Sequence, residues 1–296
     1  SVIQQNSNFL LSIKFNSFPN FCLTMPEILS ASPILSDEKN TASFSLKDEK
    51  FDLDAFNLRY KSSLTFLNSP AFSASEIIKV DKNTITLDLS RGAELFGVSL
   101  SGLPVDHFSD LINRALIDAE TGFAYGRWAE NRGIYANDLF NSNADAISEK
   151  RSIHLGLDVF CDDGTKIYSP LDGRIHTKTN NKQELDYGPL LILAHDDDEG
   201  GVFFTLYGHL DSKSLINIHE GDEIIAGQPI AEVGAPPENG NWPPHLHFQI
   251  ILDLLGLNSD FPGVAFPSEM EKWLSLSPCP SMFFESAPKE IDASLE

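Results

Sequence analysis

Leu190–His195 (LLILAH) and Val202–Leu206 (VFFTL) are two short apolar runs separated by the six residues DDDEGG. Runs of this length on either side of turn-forming residues read as a β-hairpin. The acidic stretch Asp196–Glu199 then reads as its solvated tip, since it lacks the ligand spacing of a calcium loop. The same texture extends outward in both directions. Leu155–Phe160, Lys166–Tyr168 and Arg174–Lys178 precede the hairpin, and Glu223–Ile225, Ile230–Val233 and His245–Leu252 follow it, with Gly, Pro, Asp and Asn between them. Strands so closely spaced predict an antiparallel barrel or sandwich rather than alternating strand and helix units.

Upstream the pattern is mixed. Thr84–Leu89 (TITLDL) alternates and reads as a short strand. Pro104–Ala119 reads as a helix, with Val105, Phe108, Leu111, Ile112, Ala115 and Leu116 on one face. That face needs a cover, and the nearest is the flank of the β region. Gly126–Tyr135 (GRWAENRGIY) reads locally as an exposed loop anchored by Trp128 and Tyr135. Residues 25–50 have linker composition, and MPEILS at Met25 reads like a start, so residues 1–24 are expected to lie outside the folded unit. Downstream, Met270–Leu276 suggests a short helix stopped by Pro278 and Pro280, with the last ten residues frayed. The expected division is 1–50 extension and linker, 51–147 N-terminal α/β segment, 148–255 β domain and 256–296 tail.

Composition narrows the function. Among 296 residues, 21 Lys and Arg face 43 Asp and Glu, a formal charge of −22, which argues against a general nucleic-acid binder. The longest apolar runs, Pro189–Ala194 and Val202–Tyr207, are far shorter than the roughly 20 residues that span a bilayer. Three widely spaced cysteines make neither a CxxC knuckle nor a disulfide framework, and Cys161 reads as a core residue. The first residues lack a basic start and a small-x-small cleavage site, so the expectation is a cytoplasmic protein.

Three short patterns gather four of the eight histidines and one carboxylate. The first is His154-Leu-Gly-Leu-Asp158. In a regular strand these two side chains would stand about 13 Å apart, too far for one metal, so the backbone must bend, most cheaply at Gly156. The second is His245-Leu-His247, two imidazoles on one strand face, and the third is Tyr207-Gly-His209 at a strand end. Two neutral imidazoles, a carboxylate and an open fourth position make a catalytic zinc site. Zinc-activated water is the nucleophile of such a site, with one histidine as proton acceptor and another as hydrogen-bond partner of the oxyanion. Tyr207, Asn239 and Trp242 are candidates for lining a substrate groove, with Trp242–Pro244 reading better as a rigid rim. His107, His176 and His219 fall outside the patterns, and His195 reads as surface or structural. The loop Gly126–Tyr135, carried by the packed helix, is expected to run toward this cleft, where Arg127, Glu130, Asn131 or Arg132 would contact substrate or shield the zinc.

HLGLD, GTKIYSPLDGRI, LDYGPLLILAH, FFTLYGHL, IHEGDEIIAGQPIAEVG and PPHLHFQI occur here in the order seen in lysostaphin-type (LytM-like) zinc metallopeptidases, which residues 150–252 resemble. The resemblance implies a mainly β fold, the duplicated hybrid motif (a β barrel-sandwich), on which the α/β N-terminal segment is expected to pack through its helix stripe. It implies that His154, Asp158 and His247 bind Zn2+ and that His209 and His245 serve catalysis. The implied activity is that of a zinc metalloendopeptidase acting on cell-wall (peptidoglycan) peptide. TLDLSRG, GRWAENRGIY, APPENGNWPP and DFPGVA are most similar to metallopeptidase-like modules found fused between kinase-like and class III aminotransferase domains. Two other readings stand beside the enzyme. One is a binding module for peptide or glycan that does not hydrolyse. The other is a phosphocarrier-type domain on the same barrel, which needs paired histidines but no Asp158.

Overall fold

A computed structural model describes residues 53–80, 83–135, 149–257, 259–284 and 287–295. The extension expected at 1–24 lies outside them. The described chain begins with helix α1 (Leu53–Leu67), which buries Tyr60, Leu64 and Leu67, spaced to share one face. Strand β1 (Ile85–Leu87) falls within the expected TITLDL run, and β2 (Glu94–Leu95) and β3 (Val98–Ser99) make a small hairpin. Helix α2 (Val105–Asp118) has Pro104 at its N-cap and buries Phe108, Ile112 and Ala115. Strand β4 (Ala124–Gly126) returns parallel to β1, so β1, α2 and β4 form one crossover unit.

The eight runs read from the sequence between residues 155 and 252 are all strands. After β5 (Ile153–His154) come β6 (Leu157–Phe160), β7 (Lys166–Tyr168), β8 (Gly173–Asn181), β9 (Gly188–Asp196), β10 (Val202–Gly208), β11 (Glu223–Ile224), β12 (Pro229–Glu232) and β13 (His245–Ile251). Then follow β14 (Val264–Ala265) and helix α3 (Met270–Leu276). The expected hairpin is β9–β10, with Asp196 opposite Val202. The run Pro189–Ala194 is continuous rather than alternating because β9 is covered on both faces, leaving only Asp196 exposed.

The main sheet has eight strands in the order β1-β4-β6-β13-β10-β9-β8-β11, antiparallel except for β1 and β4. The class is mainly β, as expected, but the sheet is open rather than a closed barrel. Strands β7 and β12 pair with each other, not with the sheet edges, and their Ile167, Ile230 and Ala231 share the core of the main sheet. They form a second layer, the sandwich half of the expected architecture.

The helix α2 stripe packs where its pattern required. Phe108, Ile112 and Ala115 join Leu87, Leu89, Leu100, Ala124, Phe160 and Trp242 in one buried cluster, with the Phe108 and Phe160 rings edge to face at 6.4 Å. Two expectations fail. Gly126–Tyr135 is not an exposed loop: Arg127, Trp128, Ala129, Glu130, Arg132, Ile134 and Tyr135 are all buried. The chain end is not frayed throughout either, because Ile291 is buried and its carbonyl accepts the Trp128 N–H at 2.9 Å, while Ala293 N–H donates to the Trp128 carbonyl at 3.0 Å. A loop that buries Trp128 needs partners for its backbone, and the chain end supplies them.

Candidate metal centre

The register of β6 on β13 sets Asp158 directly opposite His247. His154 reaches the same point because the chain bends at Gly156, leaving β5 to pair with β14 and β6 to join the main sheet. A Cβ at Gly156 would stand 2.6 Å from both Cε1 and Nε2 of His247. The expected bend is there, and the glycine also lets the His247 ring lie against bare backbone.

His154 Nε2 lies 3.0 Å from His247 Nδ1 and 3.1 Å from Asp158 Oδ1, and His247 Nδ1 lies 3.2 Å from that same oxygen. Atoms bonded to one tetrahedral zinc at about 2.0–2.1 Å would stand ~3.3 Å apart, close to this spacing. Hydrogen bonding explains why these atoms face one another. His154 Nδ1 donates to the Arg127 carbonyl at 2.9 Å, which leaves Nε2 with a bare lone pair. The Gln249 amide nitrogen donates to the Pro262 carbonyl and the Ser277 hydroxyl, so its oxygen must be the atom that accepts from His247 Nε2 at 3.0 Å. His247 Nδ1 is therefore also bare. Two lone pairs and a carboxylate oxygen converge with no donor between them, which is a fitting environment for a cation. Among the described residues, this trio is the group of His, Cys, Asp and Glu side chains close enough to hold a metal ion, and all three are buried.

Burial, followed by the nearby Arg132 cation, pulls His154 down to about 4, so its ring is neutral at neutral pH. Burial alone would raise Asp158, but the Arg132 guanidinium bonded to it counters that, and the carboxyl is held well below the usual carboxylate range. Oδ2 of Asp158, the oxygen turned away from the histidines, accepts from Arg132 Nη1 at 2.5 Å.

His209 and His245 stand beside this trio, their rings 4.2 Å apart, with the His209 ring 6.2 Å from that of His247. His245 Nε2 is 3.8 Å from Asp158 Oδ1. Each donates Nδ1–H to a backbone carbonyl, His209 to Asn239 at 2.8 Å and His245 to Pro243 at 2.7 Å, so each keeps Nε2 as a proton acceptor. Burial depresses both, and for His209 the neighbouring His245 and His247 add to it. His209 follows β10 with φ of 61°, a left-handed conformation uncommon outside glycine. Its N–H on the Tyr187 carbonyl and its carbonyl on the Gly234 N–H hold it there.

All five residues singled out from the sequence are thus brought together. Tyr207 is not with them: it is fully buried, its ring lies against Phe248 and its hydroxyl is 3.0 Å from Thr205 Oγ1. Asn239 and Trp242 act as framework, Asn239 through its carbonyl and Trp242 with its ring edge-on to His209 at 6.4 Å. His195 is structural, buried between the Asp172 carbonyl and Thr205. Tyr187, whose ring lies 5.3 Å from His247, and Gln249 were not anticipated. Gln249 had a signal, since it stands two residues after His247 and so on the same strand face.

Residues 152–258 match the model of peptidase family M23. This part of the chain is M23-like. Solved structures similar to the M23-like region include a zinc-containing peptidase from Vibrio cholerae, 28% identical over 38% of this chain and 30% of that one, with a TM-score of 0.29. Another is the catalytic domain of the antimicrobial peptidase lysostaphin from Staphylococcus simulans, 26% identical over 41% of this chain and 80% of that one, also with a TM-score of 0.29. The match thus spans less than a third of the Vibrio chain. No curated protein matches the sequence. No helix among the described residues is long and apolar enough to cross a membrane.

Proposed function

We propose that the protein is a zinc metallopeptidase, with His154, Asp158 and His247 as the metal ligands and His209 and His245 as the catalytic residues. The observation that carries this reading is the meeting of two proton-free imidazole nitrogens and one carboxylate oxygen within 3.2 Å of each other. Bound zinc would supply a water of lowered pKa and a Lewis acid for the scissile carbonyl. The chain's own residues do the rest. His209 and His245 present bare Nε2 atoms, so either can take up the nucleophile's proton. An imidazole with Nδ1–H fixed on a carbonyl can donate from Nε2 only once it is protonated, so support of an oxyanion belongs to the imidazolium form. The rings are close enough that one charge opposes a second, which suits a pair passing a single proton.

By family likeness the substrate class is cell-wall peptide. The five residues are only 1–6% exposed. That burial also favours the second reading, a binding module that keeps the metal without turnover. Asp158 among the donors counts against a phosphocarrier. Hydrolysis of a panel of Gly-Gly, D-Ala-linked and ordinary peptides, with zinc and then with a chelator, separates the first two readings. His209→Ala and His245→Ala should retain zinc and lose about 10²–10⁴ in rate. Near-normal turnover in both variants, or no chelator-sensitive hydrolysis by the wild type, would refute the catalytic assignment.

A further inference from the structure

The loop after β4 carries three charges into the core. Arg127, Glu130 and Arg132 are each at most 5% exposed. They form one chain of alternating sign that starts at the exposed Asp88. Asp88 Oδ1 accepts from Arg127 Nη2 at 2.7 Å, and Glu130 Oε1 accepts from Arg127 Nε at 2.8 Å. Glu130 Oε2 accepts from Arg132 Nε at 2.9 Å, and Arg132 Nη1 then donates to Asp158 Oδ2. Further hydrogen bonds hold Glu130 and Arg132. Glu130 Oε1 takes the Leu89 N–H, and Arg132 donates to the Tyr135 hydroxyl at 3.2 Å and the Arg127 carbonyl at 3.4 Å.

Burying four charges in a row is an inefficient way to stabilise a fold, because desolvation consumes most of the Coulombic gain. What the chain does achieve is orientation. The backbone of the same loop is stitched to the first donor strand, Ala129 N–H to the His154 carbonyl and His154 N–H to the Glu130 carbonyl, both at 2.9 Å. Its Arg127 carbonyl holds His154 Nδ1. One loop therefore grips two of the three metal donors from behind. Gly126 makes room for it: a Cβ there would lie 2.8 Å from Arg132 Nη2 and 3.2 Å from Asp158 Cβ.

We propose that Arg132 is a positioning residue for the metal centre: it occupies Oδ2 of Asp158, so that the carboxylate offers the metal Oδ1 alone. A carboxylate free to offer both oxygens would take up coordination room needed by water and substrate. The inference rests on the zinc reading above, and the experiment keeps the two apart. The 296-residue chain, purified metal-free, is titrated with zinc against a chromophoric chelator and separately loaded with cobalt(II), whose visible band weakens as coordination rises from four to five. Wild type should bind zinc and give the intense four-coordinate band. Arg132→Gln, folded by circular dichroism, should bind zinc about 10- to 100-fold more weakly and give a weaker band. If leaving Glu130 Oε2 without a partner prevents folding, the double variant Glu130→Gln/Arg132→Met removes both charges, and the same result is expected. A folded variant with unchanged zinc affinity and an unchanged cobalt band would overturn the positioning role while leaving the zinc reading intact. A wild type that binds no metal would overturn both.

Discussion

His195 and His154 are both buried imidazoles lowered to about 4, yet one braces the sheet and the other faces the candidate metal centre. The difference lies in the second nitrogen: His195 Nε2 has a hydroxyl partner in Thr205, whereas His154 Nε2 meets only acceptors. His195 gives a pH test free of the metal. Burial is the main cause of its shift. An unfolded chain takes up this proton near 6.5 and the folded chain near 4, so the unfolded state binds more protons between those values. The stabilisation from a neutral His195 is complete above about 6.5 and lost as pH falls toward 4. Asp260, pushed up to about 7 by burial and then by Asp186, works in the opposite direction, so the gap between wild type and variant is the readout. In metal-free protein, the stability advantage of wild type over His195→Gln should shrink by on the order of 3 kcal/mol from pH 7 to pH 4. Urea unfolding at several pH values measures it, and a gap independent of pH would contradict the assignment. Residue identity was legible for the five central side chains because HxGxD, YGH and HxH are short patterns with chemical meaning. Arg132 was legible only as one of four polar candidates on its loop. Its pairing with Asp158, 26 residues away, is made by the fold and not by any local spacing.

At the scale of elements, strands were easier to read than helix α1. Each strand between β6 and β13 is bounded by turn residues, and β7 matches its expected run end to end. Helix α1 hid its face: Leu58 points out at 71% exposure while Ser62 and Ser63 are buried, which blurs the apolar period. Helix α2 was legible because its stripe is clean, and its packing also bears on the metal centre. Phe108 meets Phe160, and Phe160 stacks on His245 at 4.9 Å. Phe108→Ala should therefore destabilise the protein by about 3–5 kcal/mol, measured by denaturant unfolding. A loss under 1 kcal/mol would mean that α2 does not seal this flank of the sheet.

For the whole molecule, the sequence implied a β protein with a helix on its side but misjudged closure. Whether a sheet closes depends on which strands lie at its edges, and short runs such as Glu223–Ile224 and Ile85–Leu87 do not carry that information. Two buried clusters organise the described residues, a large one between the layers and a smaller one under α2. The candidate metal centre lies where they adjoin: Phe160 of the smaller cluster stacks on His245, while Tyr187 of the larger one meets His247. This location explains why a site of five polar side chains is almost entirely buried. It also explains why residues outside the M23-like region, from Asp88 to Arg132, bear on it. The central claim is that His154, Asp158 and His247 hold one zinc ion. The most direct measurement is zinc per chain in purified wild type and Asp158→Ala at matched folded fraction. The account predicts one zinc per wild-type chain and a sharp loss in the variant. Stoichiometric zinc in a correctly folded Asp158→Ala, or none in the wild type, would contradict it.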